Sequence, residues 1–150
     1  MLPMKDLRES IAEAFAADTN FLAVAINGNK VHLLDADFLE DENLVLANVS
    51  LASFTGSTGL VATAGVQQAG VDPTTREQLV TLVEPAGGWR WENTADEVNP
   101  IPIYGYALLD NAEAVLLAVK RFALPINIQF IGEEINIGAA TFRFVLQPAA

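Results

Sequence analysis

The chain contains no cysteine, one histidine and only eight basic residues, against nineteen acidic ones in a total of 150. The absence of thiols excludes disulfides, thiolate nucleophiles and cysteine-ligated zinc. The net charge of −11 makes nucleic acid an unfavourable partner, because binding a phosphate backbone needs clustered lysine and arginine. We interpret the acidity as a source of solubility through self-repulsion, with docking onto a basic partner surface as the alternative.

Long apolar runs are also missing. No window holds the roughly 18 uninterrupted apolar residues of a membrane helix, so no membrane partner is expected. The N-terminus carries charges from Lys5 onward, where a secretion signal would have an apolar run. We therefore expect a soluble protein made in the cytosol, and its length predicts a single domain with one sizeable core.

One helix is predicted, over residues 3–17. Pro3 suits a first helical turn, and Leu7, Ile11 and Phe15 recur on one face. We favour the interpretation that this stripe docks on the chain's own sheet, and a partner-binding arm is the alternative. The expected organisation is an N-terminal helix or arm over residues 1–18 and a β domain over residues 19–150.

The rest of the chain has the pattern of short strands. Asn27 and Gly28 are the preferred pair for a type I′ turn, which predicts a hairpin with Val24 opposite Val31 and His32 on the solvent side. In this register Leu22 would lie opposite Leu33. Further strands are predicted at 44–52, 60–66, 78–84, 101–109, 114–122, 126–130 and 135–146, with an interruption at Gly138. The predicted fold class is mainly β, an antiparallel β-sandwich or barrel-like domain preceded by one N-terminal helix.

A second hairpin, with its turn at residues 110–113, is apolar on both faces. Pairing Leu108 with Val115 and Tyr106 with Leu117 gives one bulky face and one face of small residues. The small face is suited to close approach by another layer or another subunit, and it is too apolar to be left in water. The predicted partner surface therefore comprises Gly105, Ala107, Leu116 and Ala118 on this hairpin, together with Leu7, Ile11 and Phe15 on the helix.

Residues suited to catalysis or metal binding are sparse. The only histidine is predicted to face solvent, and the Ser57 region lacks the spacing of a hydrolase nucleophile elbow. The acidic run at 35–42 departs from a calcium loop, because Glu40 stands where glycine is required and Leu46 where glutamate is required. We expect no catalytic residue, no metal and no cofactor.

Trp89 and Trp91 alternate, so on a strand they share one face. Two such indoles form either a sugar-stacking platform or anchors of a core or a subunit interface. We favour anchors, because aromatic residues on strands usually bury their area.

Two groups of residues carry a resemblance to known proteins. One is Phe54 with Gly56; the other is a hairpin with Ile-Tyr-Gly-Tyr at 103–106, an acidic turn at Asp110, Leu116 with Leu117, Arg121 with Phe122, and Pro125. From about residue 44 to the end, the chain resembles small virion structural proteins of tailed bacteriophages. It departs from them at residues 118–120, where that group usually has an aromatic and an acidic residue.

The resemblance implies a virion structural component. It leads us to expect a capsid decoration or cement protein without enzymatic activity, located on the head surface and in the host cytoplasm during assembly. Its expected partners are other copies of itself, as a homotrimer, and the major capsid protein. The alternatives are a tail or head-to-tail component, a glycan-binding adhesin and, least favoured, a small hydrolase.

Overall fold

A computed structural model describes residues 2–4, 28–62, 77–82, 89–138 and 140–145. These residues form nine β-strands and one short 3-10 helix at Leu46–Asn48. The strands are β1 Leu2–Pro3, β2 Lys30–Leu34, β3 Leu60–Val61, β4 Glu77–Leu82, β5 Trp89–Glu92, β6 Ile101–Leu109, β7 Leu116–Ile128, β8 Glu134–Ile137 and β9 Ala140–Val145. The prediction of a mainly β protein is confirmed.

All strand pairs are antiparallel. The main sheet has the order β1-β7-β6-β2-β3, and two further pairs are β4 with β9 and β5 with β8. The prediction for residues 101–109 matches β6 at both ends, and the interruption at Gly138 falls between β8 and β9. In the ranges that the structure describes, no helix has the length and apolar character needed to span a membrane.

The main sheet is apolar on both faces because side chains alternate along its central strands. One face packs against the β5–β8 pair; this first cluster includes Val31, Leu33, Tyr106, Leu108, Ala118, Trp89, Trp91, Ile135 and Ile137. The opposite face forms a second cluster with Met4, Leu34, Phe38, Ala107, Leu109, Leu116 and Val119. Both faces of the β6–β7 hairpin are therefore covered, as expected, and the cover comes from the chain itself.

The predicted register of this hairpin is wrong. Leu108 lies opposite Ala118, and Tyr106 lies opposite Lys120, with bulges between Ile103 and Gly105 and between Leu108 and Leu109. The predicted partner of Leu108 is three positions away, and an odd shift exchanges the two faces of a strand. The shift has two causes. The turn closes one residue later than predicted, through a hydrogen bond from the Asp110 N–H to the Val115 carbonyl. A bulge then follows the turn.

The predicted first hairpin is also wrong in its pairing. Val31 lies opposite Leu108 of β6 on one edge of β2 and opposite Leu60 of β3 on the other. The carbonyl of Leu33 accepts a bond from the N–H of Ala52. Both edges of β2 are thus occupied by other segments, and the predicted partner strand, residues 21–26, lies outside the described residues.

Three further differences concern element type. Pro3 pairs with Ala118 as part of β1, so no helix begins at Pro3, and residues 5–17 lie outside the described part of the chain. Residues 44–52 contain the 3-10 helix and a single bridge from Leu51 to Leu34, and they do not form the predicted strand. The separate strand predicted at 126–130 is the end of the long strand β7, which stops at Ile128.

Candidate interaction surface

The small residues predicted to meet another subunit are buried within the chain. Ala107, Leu116 and Ala118 belong to the two core clusters. Gly105 is also buried, next to Phe38. A Cβ atom at Gly105 would overlap the carbonyl oxygen of Lys120 and lie 3.0 Å from Cζ of Phe38. Ala107 and Leu116 lie on the face of the second cluster and Ala118 on the face of the first, so these residues do not share one small face as predicted. Each is covered by the chain's own segments and is not available to a partner.

A loop that we call the acidic strap, residues 35–42, provides part of this cover through Phe38. Oδ1 of Asp37 accepts bonds from Nε and Nη2 of Arg121, at 2.9 and 2.8 Å. Oε1 of Glu40 accepts the backbone N–H of Arg121 at 2.7 Å and lies 3.8 Å from Nζ of Lys120. These carboxylates hold the loop that places Phe38 over the hairpin. Within the described residues, no group of three ligand side chains is arranged to hold a metal ion.

The tryptophan pair is confirmed as a core anchor. Trp89 and Trp91 are both buried in the first cluster, and their indole N–H groups donate to the carbonyls of Val61 at 3.4 Å and Thr58 at 3.0 Å. With no ring face open to solvent, the indoles cannot stack on a sugar, so the glycan platform is wrong.

The residues on which the expected resemblance rests serve the fold. Phe54 is buried in the first cluster. Gly56 has φ +111°, and a Cβ there would overlap the carbonyl oxygen of Glu92 at the end of β5. Tyr106 and Phe122 are ring neighbours, with centroids 5.9 Å apart. In this chain the motif residues set close backbone approaches and core contacts and do not themselves form an exposed site.

Three exposed apolar side chains lie on loops at the opposite end of the main sheet from the 110–115 turn. Val98, Phe130 and Ile131 are 92%, 58% and 65% exposed. They lie on two loops, residues 93–100 and 129–133, that meet where β6 begins and β7 ends. We call these three side chains the apolar tip. Leu7, Ile11 and Phe15, the helix residues of the predicted partner surface, lie outside the described residues.

Carboxylates hold the loops of the apolar tip by accepting hydrogen bonds from backbone N–H groups. Glu133 does so within one loop, and Asp96 does so between the two loops. Oε2 of Glu133 accepts bonds from Gln129 at 2.6 Å and from Phe130 at 2.9 Å. Oδ1 of Asp96 accepts the N–H of Ile131 at 2.8 Å. Two of the three apolar residues are therefore held at their own backbone.

A buried asparagine joins the two loops. The Asn93 N–H donates to the carbonyl of Glu133 at 2.8 Å, and its own carbonyl accepts the N–H of Gly132 at 2.8 Å. Its side-chain Nδ2 donates to the carbonyl of Phe130 at 3.1 Å. A further bond, from the N–H of Glu97 to the carbonyl of Gln129 at 2.7 Å, fixes the segment that carries Val98. The tip is presented by an ordered framework.

The rim of the apolar tip is anionic. Asp96, Glu97 and Glu133 lie on its loops, and Glu134 beside them is ion-paired with Arg90. The backbone N–H bonds from Gln129 and Phe130 lower the pKa of Glu133, and hydrogen bonding to Arg90 lowers the pKa of Glu134. Both carboxylates are therefore ionised at neutral pH. An apolar centre with an anionic rim is complementary to an apolar socket bordered by lysine or arginine.

The apolar tip was not predicted from the sequence. Phe130 continues the alternation of Ile126 and Ile128, which predicted a half-buried side chain. The available signal was the turn sequence Gly132-Glu133-Glu134 directly after Phe130 and Ile131, which places that apolar pair at a strand end instead of inside a strand.

Comparison with known proteins finds no match: no family model fits the chain, and no curated protein or solved structure is significantly similar to it. We therefore infer the contact surface from the geometry of the tip and from the charge of the chain.

Proposed function

We propose that this chain is a β-sandwich structural protein of a bacteriophage virion, a capsid decoration or cement protein that binds the major capsid protein through its apolar tip. The observation that carries the proposal is the exposure of Val98, Phe130 and Ile131 on loops held by hydrogen bonds. A surface that is ordered before binding loses little conformational entropy on docking. The resemblance of the motif residues supports the virion setting.

The size of the tip supports repeated attachment. Weighting the three side chains by their exposed fractions, and taking about 1.5–3 kcal/mol for each fully buried one, gives roughly 3–6 kcal/mol from burial. A dissociation constant of about 1 mM already corresponds to about 4 kcal/mol, so one tip alone binds weakly. Linking several tips in an oligomer raises overall avidity by about 10²–10⁴ without new contacts. This arithmetic favours an oligomer over a monomer. In the proposed homotrimer, three tips would engage neighbouring capsid subunits on the head surface.

A capsid-binding assay tests the tip. Capsids assembled without this protein are mixed with purified wild type, Phe130→Asp or Ile131→Asp and sedimented, and bound protein is quantified. We expect each tip variant to lose at least tenfold in occupancy, because a carboxylate would be buried in an apolar socket. Leu39→Asp is the matched control: Leu39 is 82% exposed but lies on the acidic strap, so this variant should bind like wild type.

The outcome that contradicts this assignment is normal binding by both tip variants with unchanged circular dichroism. Fractionating intact particles into heads and tails, followed by mass spectrometry, tests the head location separately. Recovery of the chain only in tails would replace the decoration role with a tail or head-to-tail one.

The N-terminal stripe is a second proposed contact. Deleting residues 1–17 is an unsuitable test, because Leu2 and Pro3 pair with β7 and Met4 is buried in the second cluster. Leu7→Asp and Phe15→Asp leave those residues in place. If the stripe contributes to the capsid contact, both variants bind less while remaining folded; unchanged binding restricts the contact to the tip.

A further inference from the structure

The only histidine of the chain is buried in the main sheet, contrary to its predicted position facing solvent. His32 is 6% exposed, because its ring is covered by the segment at Gly59 and by the side chain of Glu113. Its ring fills the space above Gly59, where a Cβ atom would overlap Nε2. Nε2 lies 3.1 Å from Oε2 of Glu113, within ion-pair distance, although the orientation is not that of a hydrogen bond. The imidazole is thus enclosed between a glycine and one carboxylate.

Glu113 adopts a backbone conformation that is unfavourable for its residue type. Its φ is +57°, in the left-handed region, where a non-glycine residue costs about 1–2 kcal/mol. Glycine would be the inexpensive choice at this place in the 110–115 turn. The strain is consistent with a role for the side chain, which reaches back from the turn to His32.

Two charged groups act on the imidazole. Burial is the main cause that lowers the pKa of His32; Glu113 on the turn opposes this shift, and Lys30 on the same strand adds to it. The neighbours from the other packed elements, Ala107 of β6 and Gly59 before β3, carry no titratable side chain. The ring is therefore neutral at neutral pH.

The segment over His32 is weakly paired. Strand β3 has two residues, which pair with Lys30 and Val31 at the edge of the sheet. Backbone bonds between Ala62 and Asn29 and between Gly28 and Ala62 extend this pairing by one step. Protonation would place a positive charge on a ring that Gly59 covers and that water does not reach at Nε2. The Glu113 carboxylate, 3.1 Å from Nε2, offsets only part of the cost of burying that charge.

We propose that His32, Gly59 and Glu113 form an acid-sensitive latch that holds residues 59–62 on the edge of the main sheet. On acidification, residues 59–62 separate from β2, and the imidazole that this exposes to water binds a proton. The direction follows from linkage: the folded-state pKa lies below 6.5, so the stabilisation of the closed latch is complete above that pH. It is lost as the pH falls through the folded-state pKa, and each pKa unit of depression corresponds to about a tenfold larger open fraction.

NMR of the intact chain tests the latch, since one histidine gives one unambiguous set of imidazole signals. We expect a His32 pKa below 6.5 and, after correction for intrinsic exchange, faster exchange of the Ala62 amide as the pH falls from 7.5 to 5. The amide of Leu108 in the sheet centre should stay protected. Trp91 supplies an optical readout, because its indole donates to Thr58, directly before the latch.

Variants separate the latch from general acid loosening. His32→Gln should remove the acceleration at Ala62 between pH 7.5 and 5. Glu113→Gln removes the group that raises the pKa, so the acceleration should continue to lower pH than in wild type. Glu133→Gln, at the far end of the molecule, is the control and should match wild type over this range.

A His32 pKa at or above 6.5 would overturn the proposal, and so would an acid response at Ala62 that survives in His32→Gln. Should His32→Gln fail to fold, Glu113→Gln decides alone, since an exchange profile identical to wild type would also overturn it.

Discussion

Replacing Gly105 with alanine is the sharpest test of the packing around the β6–β7 hairpin. The added Cβ would overlap the carbonyl oxygen of Lys120 and press on Phe38 at 3.0 Å. The carbonyl belongs to the paired strand β7 and cannot rotate away as a side chain could. Overpacking of a well-filled site costs about 1–3 kcal/mol, and a fixed backbone obstacle places this variant at the upper end, about 3 kcal/mol. For a chain of this length that corresponds to a melting temperature about 6–12 °C lower.

Urea unfolding followed by tryptophan fluorescence measures the effect, since Trp89 and Trp91 are buried and become exposed on unfolding. Gly132→Ala is the matched control: Gly132 has φ +85° and open space around it, so only the backbone term of about 1–2 kcal/mol applies. Adding Phe38→Leu to Gly105→Ala should not restore stability, because the carbonyl obstacle remains. A Gly105→Ala variant within about 0.5 kcal/mol of wild type would refute the described contact.

Two further outcomes follow from the carboxylates. Backbone hydrogen bonds lower the pKa of Glu133 below its ordinary 4.5, so the stability that it contributes is present above that pH and is lost as the pH falls through the folded-state value. Between pH 5 and 3 the urea midpoint of wild type should therefore fall more steeply than that of Glu133→Gln; parallel curves would contradict this. Arg121→Gln removes the pair with Asp37 but keeps the backbone bond to Glu40, so it should cost less than about 1 kcal/mol and the difference should disappear in 1 M salt. A loss above about 2 kcal/mol at high salt would show that the pair is more than a surface contact.

Local patterns were sufficient for most strands. The apolar run at 101–109 predicted β6 at its observed bounds, and Gly138 marked the break between β8 and β9. These features depend on neighbouring residues along the chain, where the side-chain period and the turn residues are directly visible. The apolar faces of the hairpin were visible in the same way, which is why the need for cover on both sides was predicted correctly.

Register and pairing were not accessible to the same reasoning. The bulges in β7 and the closure of the turn through Asp110 and Val115 displace the strand by three positions, and nothing in the alternation of β7 marks them. His32 was assigned to solvent because its strand was paired with residues 21–26, whereas β2 has β6 and β3 at its edges. Which strands become neighbours is decided by competition among distant segments for the same edge.

The candidate surface shows the same division. The bond from Ile131 to Asp96 joins residues 35 positions apart, and the bond from Arg121 to Asp37 joins residues 84 apart. Composition establishes a cysteine-free, acidic chain, and the order of its residues indicates a mainly β fold with a hairpin that must be covered on both faces. Only the tertiary structure decided that the acidic strap supplies part of that cover and that Val98, Phe130 and Ile131 stay exposed, because burial depends on contacts between segments whose proximity no local pattern encodes.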